Sequence, residues 1–243
     1  MPLRNMAGLL FTSGIIISTP GEGALLIGNL DAKRTLTYQN KSFFLGVINE
    51  NKRVVVCICG VGKTNAAHGT TLLLERFGPD HVYSIGVAGA YPGSGLNIGD
   101  VAVAENEFYG DEGLLTESGF HTIDALGITL ASVSGNGYYN KFPLVVPEAF
   151  KDSKAKGNFV SVSTCTGTRS RALELELRFN AICENMEGAA VAHICALNNI
   201  PVSEIRGISN IVGAREAFPL DRAAIHTAAE NVQQMLMGRL TAF

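Results

Sequence analysis

The apolar positions of this chain fall into two rhythms. Short runs rich in β-branched residues occupy positions 14–18, 43–48, 53–59, 82–87, 100–105, 159–163 and 202–208. Between them the spacing changes to that of helices, over 64–77, 169–179, 187–198 and, at the end, 220–239. Strand and helix signals in alternation predict an α/β architecture. Several of the strands are apolar on both faces, as in the interior of a mostly parallel sheet covered by helices on either side. The expected fold is a single three-layer domain over 1–243, with a central mixed, mostly parallel twisted sheet and residues 1–12 as an N-terminal extension. Ligands of such sheets bind beyond the carboxyl ends of the strands. The stretch 107–139, rich in Gly, Ser and Asn, shows no period and reads as a long loop of the kind that forms lids or substrate walls.

Composition narrows the function classes. A net charge of −3, spread without long runs of one sign, lacks the footprint of a nucleic-acid binder and leaves a small molecule as the expected partner. No stretch approaches the ~20 apolar residues of a membrane span. Residues 6–17 resemble a signal-peptide core only weakly, being interrupted by Thr12, Ser13 and Gly14. A soluble, cytoplasmic protein is expected. Cys57, Cys59, Cys165, Cys183 and Cys195 form no CxxC pair and read as reduced thiols. The five histidines have no partner at metal or catalytic spacing, so no metal and no cofactor are expected.

One motif misleads. The segment from Cys57 to Thr64 ends in the Gly-Lys-Thr of a phosphate-binding loop, but the first glycine of that loop would have to stand at Cys57. The segment reads instead as a tight strand-to-helix turn capped by Thr64.

Three strand ends deliver polar side chains into apolar surroundings. Ile15-Ile-Ile-Ser-Thr-Pro-Gly-Glu22 is a strand followed by a carboxylate. In Glu184-Asn-Met-Glu-Gly-Ala-Ala-Val191, Glu187 opens a helix whose small residues press it against the sheet. Glu204-Ile-Arg-Gly-Ile-Ser-Asn210 is a strand that ends on an amide. Any one alone reads as a cap or turn residue. Taken with Gly86-Val-Ala-Gly-Ala90 and Leu96-Asn-Ile-Gly-Asp100, the set resembles the superfamily of purine nucleosidases and phosphorylases, from about Ile15 to the final helix. Within it the chain is similar to the methylthioadenosine/S-adenosylhomocysteine nucleosidases. It is similar also to the futalosine hydrolases of menaquinone biosynthesis, through Tyr109-Gly-Asp-Glu-Gly113, the Glu184 block and Ser209-Asn-Ile-Val-Gly-Ala-Arg215.

The resemblance implies a mechanism. Cleaving an N-glycosidic bond passes through a ribose cation-like state, so the site must position water, hold the sugar and stabilise the departing base. By resemblance, Glu22 orients and deprotonates the water, Glu187 binds the ribose hydroxyls, and Met186 packs under the sugar. The same resemblance implies that Ala88, Gly89, Thr166 and Gly167 line the substrate pocket. Adenine-specific relatives carry aspartate at the position of Asn210. An amide both donates and accepts, which suits a 6-oxopurine such as hypoxanthine. Arg215 is the candidate reader of a substrate carboxylate, a role the benzoate-type tail of futalosine would supply. The resemblance also implies a homodimer or higher homo-oligomer.

The expected reaction is hydrolysis of futalosine to release hypoxanthine. The alternatives are a methylthioadenosine/S-adenosylhomocysteine or aminodeoxyfutalosine nucleosidase, a 6-oxopurine nucleoside phosphorylase, and a non-catalytic nucleoside-binding domain. Against a phosphorylase stands the stretch Thr19-Pro-Gly-Glu22, which puts a carboxylate where phosphate would sit. Against the binding domain stands the presence of Glu22 itself.

Overall fold

The computed structural model describes residues 11–49, 52–133, 135–151, 153, 155–213 and 221–239. In chain order they form β1 (Ser13–Ile17), α1 (Pro20–Gly28), β2 (Asp31–Tyr38), β3 (Lys41–Ile48), β4 (Lys52–Ile58), α2 (Lys63–Phe77), β5 (His81–Ala90) and β6 (Val101–Tyr109). There follow β7 (Gly113–Thr116), β8 (Gly119–Thr122), β9 (Ala131–Val133), β10 (Asn136–Tyr138), β11 (Lys141–Pro143) and β12 (Lys156–Ser161). The last elements are α3 (Arg169–Phe179), β13 (Ala181–Asn185), α4 (Gly188–Leu197), β14 (Val202–Ile211) and α5 (Arg222–Arg239).

Ten strands make one mixed sheet, in the order β11-β6-β12-β13-β5-β1-β4-β3-β2, with β14 pairing both β5 and β6. The segments β4-β1-β5-β14 and β6-β12-β13 are parallel. Where β14 meets β6, and β13 meets β5, the pairing is antiparallel, which curls the sheet back on itself. One face is covered by α2 and α4, whose Leu73, Ala189 and Val191 share a core with Val55 and Ile16. The opposite face carries α1 and α5, closing over Ile15, Ile17, Val54 and Ile205 with Leu26 and Val232. This is the expected three-layer arrangement, and β1 is buried at every position, as an interior parallel strand must be.

Two expectations are corrected. The region 107–139 is not a single loop, because β6 runs on to Tyr109 and the remainder folds into the hairpins β7–β8 and β9–β10. These short strands pair only with each other and are largely exposed, so they carry no apolar alternation to read. The cap of α2 is Gly62, with φ of 93°, and not Thr64. The helix therefore starts at Lys63, leaving the Gly62 N–H free to bind elsewhere.

Local rules explain the elements around the sheet's carboxyl edge. Helix α1 gives only a weak sequence signal, because proline and three glycines lower its propensity. It is held by a capping box in which the Thr19 side chain accepts from the Glu22 N–H while the Glu22 carboxylate accepts from the Thr19 N–H at 3.0 Å. Pro20 at the first turn loses no hydrogen bond there. Helix α3 is capped by Thr168 and ends on Asn180 in the left-handed region, within its predicted bounds.

Candidate active site

The strand β5 organises the site, since the chain segments carrying the singled-out residues dock along its last five residues. The Glu22 carboxylate, buried, spans the capping box and the sheet: Oε2 accepts from the Thr19 N–H at 3.0 Å and hydroxyl at 2.8 Å, and Oε1 accepts from the Val87 N–H at 3.0 Å. Charged hydrogen bonds of this kind are stronger than neutral ones and fix the carboxylate in place. Gly86 makes room for it. A Cβ at Gly86 would lie 2.6 Å from Arg206 Nη1 and 2.7 Å from Glu22 Oε1, so a nitrogen of one and an oxygen of the other converge on the space a side chain would fill.

Glu187 reaches the same place from the other side. It stands at the cap position of α4, with its Oε1 accepting from the Gly62 N–H at 2.9 Å and its Oε2 facing Arg206 Nη1 at 3.4 Å. Its own N–H and that of Gly188 donate to Asn185 Oδ1 at 2.9 and 2.7 Å, which holds the turn that aims the side chain. The neighbouring thiol of Cys59 is pushed up to about 12, by burial and then by the Glu187 charge.

Arg206 links the two carboxylates and was not among the residues singled out from the sequence. It is fully buried, donating from Nε to Glu204 at 2.7 Å and from Nη2 to Ser84 at 3.3 Å. Burial alone would lower its pKa, but the charges of Glu204 and Glu187 outweigh that and raise it. A signal was available in the sequence: an arginine flanked by isoleucine and glycine within a strand, two residues after a glutamate, cannot be buried without a carboxylate partner.

Asn210 lies at the far end of β14, in register with Gly89. A Cβ on Gly89 would approach Asn210 Nδ2 to 2.9 Å, so only glycine lets the amide lie against β5. The Ser209 hydroxyl bridges the two strands, within 3.2 Å of the Ala88 carbonyl and 3.0 Å of Asn210 Oδ1. Gly89 thus lies against the amide, the Ala88 carbonyl accepts from Ser209 and the Val87 N–H donates to Glu22, within one short stretch of β5.

Thr166 is buried and its N–H donates to Glu184 at 2.9 Å, while its hydroxyl has no protein partner. A buried hydroxyl without a partner costs free energy unless a bound molecule supplies one. Gly167 beside it is exposed, and the half-buried Met186 touches the Cys165 thiol through sulfur at 3.6 Å. Register joins this group to the rest of the site, for Glu184 pairs with Gly89. Arg215 lies outside the described residues. Among the described residues no group of three or more His, Cys, Asp or Glu side chains is placed to hold a metal ion, and no helix is long and apolar enough to cross a membrane.

The chain is similar over most of its length to known proteins. The profile of the phosphorylase superfamily matches residues 12–241. A 5′-methylthioadenosine/S-adenosylhomocysteine nucleosidase of Maridesulfovibrio salexigens is 30% identical over 235 residues, covering 93% of this chain and 97% of its own length. The enzyme of the same name from Staphylococcus aureus strain MRSA252 is 29% identical over 221 residues, with 88% and 95% covered. Among solved structures, the nucleosidase of Streptococcus pneumoniae in complex with 8-aminoadenine superposes with a TM-score of 0.80 at 24% identity, covering 96% of this chain and all of its own (100%). That of Colwellia psychrerythraea with adenine gives 0.77 at 25%, covering 96% and 97%.

Proposed function

Because the chain belongs to the phosphorylase superfamily, we propose that it hydrolyses the N-glycosidic bond of a purine nucleoside, with futalosine as substrate and hypoxanthine as the released base. The observation that carries the reading is the convergence of Glu22 and Glu187 on the one guanidinium of Arg206, with the Asn210 amide farther along the same strand pair.

The roles follow from chemistry. A water held between the Glu22 carboxylate and Arg206 Nη1 has an acceptor for its proton and a donor to fix its orientation, the two requirements of a base-activated nucleophile. Glu187 accepts from the ribose hydroxyls, and its charge favours the cation that develops on the sugar as the bond lengthens. Asn210 receives the base: its amide N–H donates toward a ring nitrogen and its carbonyl accepts from a protonated one, as a 6-oxopurine leaving group needs. Arg215 is the proposed partner of the substrate's carboxylate.

Electrostatics favour water over phosphate as the nucleophile. Glu22, Glu187 and Glu204 surround Arg206, so its positive charge is already balanced, and a phosphate dianion would meet net negative charge. A second reading, hydrolysis of methylthioadenosine or S-adenosylhomocysteine, is favoured by the names of the relatives at 30% and 29% identity.

Chromatography of the purified protein incubated with futalosine, inosine and methylthioadenosine, each with and without phosphate, separates the readings. Hypoxanthine from futalosine, indifferent to phosphate, is expected, and Arg215→Ala should raise KM for futalosine alone. Adenine released from methylthioadenosine, with futalosine untouched, would overturn the proposal in favour of the second reading.

A further inference from the structure

Beneath the start of α4 two carboxyl groups meet in the interior. Glu107, from β6, and Glu204, from β14, are both fully buried, and Oε1 of the first and Oε2 of the second converge on one point beside Gly188. A methyl group at Gly188 would overlap both carboxylates, so they press directly under the residue that follows Glu187. Glu107 has its own donors: the Asn185 amide, the Phe108 N–H at 3.1 Å and the Ser161 hydroxyl at 3.2 Å. Glu204 Oε1 accepts from Arg206 Nε at 2.7 Å, yet Glu204 Oε2, equally buried, meets no N–H and no protein hydroxyl.

Two adjoining buried carboxylates cannot both ionise at ordinary cost, and a buried acceptor without a donor carries a desolvation penalty. One proton removes both difficulties. Placed on Glu107, it abolishes one of the two charges and supplies the donor that Glu204 Oε2 lacks. Placed on Glu204, it would neutralise the carboxylate that Arg206 holds most closely, at 2.7 Å.

We propose that Glu107 and Glu204 hold a single proton between them, Glu107 as the neutral acid donating to the Glu204 carboxylate, and that this pair is the positioning device that holds Arg206 between Glu22 and Glu187. Burial first, and the Glu204 charge second, push the Glu107 carboxyl well above the usual carboxylate range. The titratable and charged groups that face the pair are Arg206, Glu187 at the α4 cap and the Cys183 thiol of β13, itself kept neutral by burial. The kinetic consequences rest on the nucleosidase reading; the protonation state does not.

Infrared difference spectroscopy of the whole protein tests the protonation state without any substrate. A carboxylic-acid C=O band at neutral pH, shifted in D2O and missing from Glu107→Gln, is expected. Its absence from the wild type, or its persistence unchanged in Glu107→Gln, would overturn the proposal. In turnover, Glu107→Ala should lower kcat about tenfold or more with little change in KM, as loss of a buried hydrogen bond to a charged partner does. Glu107→Gln, which keeps a donor, should restore most of that loss. Glu204→Gln should not be spared, because Arg206 then loses its nearest anion, so equal kcat losses in the two Gln variants would also overturn the proposal. If Glu107→Ala does not fold, the band and the two Gln variants still decide. If the wild type cleaves no nucleoside, the nucleosidase reading fails while the band still judges the shared proton.

Discussion

The Glu22 carboxylate accepts the Val87 N–H at 3.0 Å, a contact between residues 65 apart in sequence that ties the first turn of α1 to the carboxyl end of β5. The same carboxylate closes the capping box of α1 through Thr19. Its orientation is thus set by the backbone of two elements and not by a flexible side chain alone, the arrangement that preorganised catalysis requires.

This dual role separates two consequences of substituting Glu22. Glu22→Ala should reduce kcat by at least about 100-fold, the scale of a lost general base. Its effect on stability should be only about 1 kcal/mol, the scale of a lost cap. Turnover assays beside urea melts read the two independently. A melt unchanged with activity retained would remove Glu22 from the mechanism.

Asn210 is the proposed reader of the base. Asn210→Asp should raise kcat/KM for methylthioadenosine relative to futalosine by about tenfold or more, because a carboxyl can donate a proton toward the leaving adenine while losing the amide's donor for hypoxanthine. Competition between the two nucleosides, followed by chromatography, measures the ratio directly. An unchanged ratio would mean that the base is read elsewhere.

Glu107 also links stability to pH. A carboxyl whose folded pKa is raised binds its proton in the native state after the unfolded chain has released it, so the native state holds more protons and stability falls as pH rises. The fall begins at the ordinary carboxylate pKa and continues up to the raised one, with a slope of about 1.4 kcal/mol per pH unit. Glu107→Gln should flatten the curve by that amount. Urea denaturation at a series of pH values between about 5 and 8 tests this, and parallel curves for the two proteins would count against a raised carboxyl.

The cysteines give a direct check of burial. Cys57, Cys59, Cys183 and Cys195 are buried, and burial raises the pKa of each thiol, whereas Cys165 is exposed beside Met186. One thiol of the folded protein should react rapidly with an aromatic disulfide reagent, and the remainder only on unfolding. Protection of Cys165 by a bound nucleoside would place it at the pocket.

Local pattern by itself determined much of this protein. The β-branched runs that became β1, β4, β5 and β14 announce themselves because interior parallel strands are apolar on both faces, and α2, α3 and α4 because their apolar spacing is helical. Glu22, Glu187 and Asn210 were legible as polar residues where strands end. Tertiary structure decided what each of them touches. Arg206 and Glu204 lie in a strand whose sequence calls for a buried ion pair but not for its place beside Glu22 and Glu187, and Glu107 falls where periodicity predicted a loop. Their significance arises from approaches across the chain, such as the 2.9 Å bond from the Gly62 N–H to Glu187, which spans 125 residues. Periodicity reports how a residue sits relative to its neighbours in sequence. The desolvation and pairing of buried charge depend on neighbours in space, which only the folded sheet brings together.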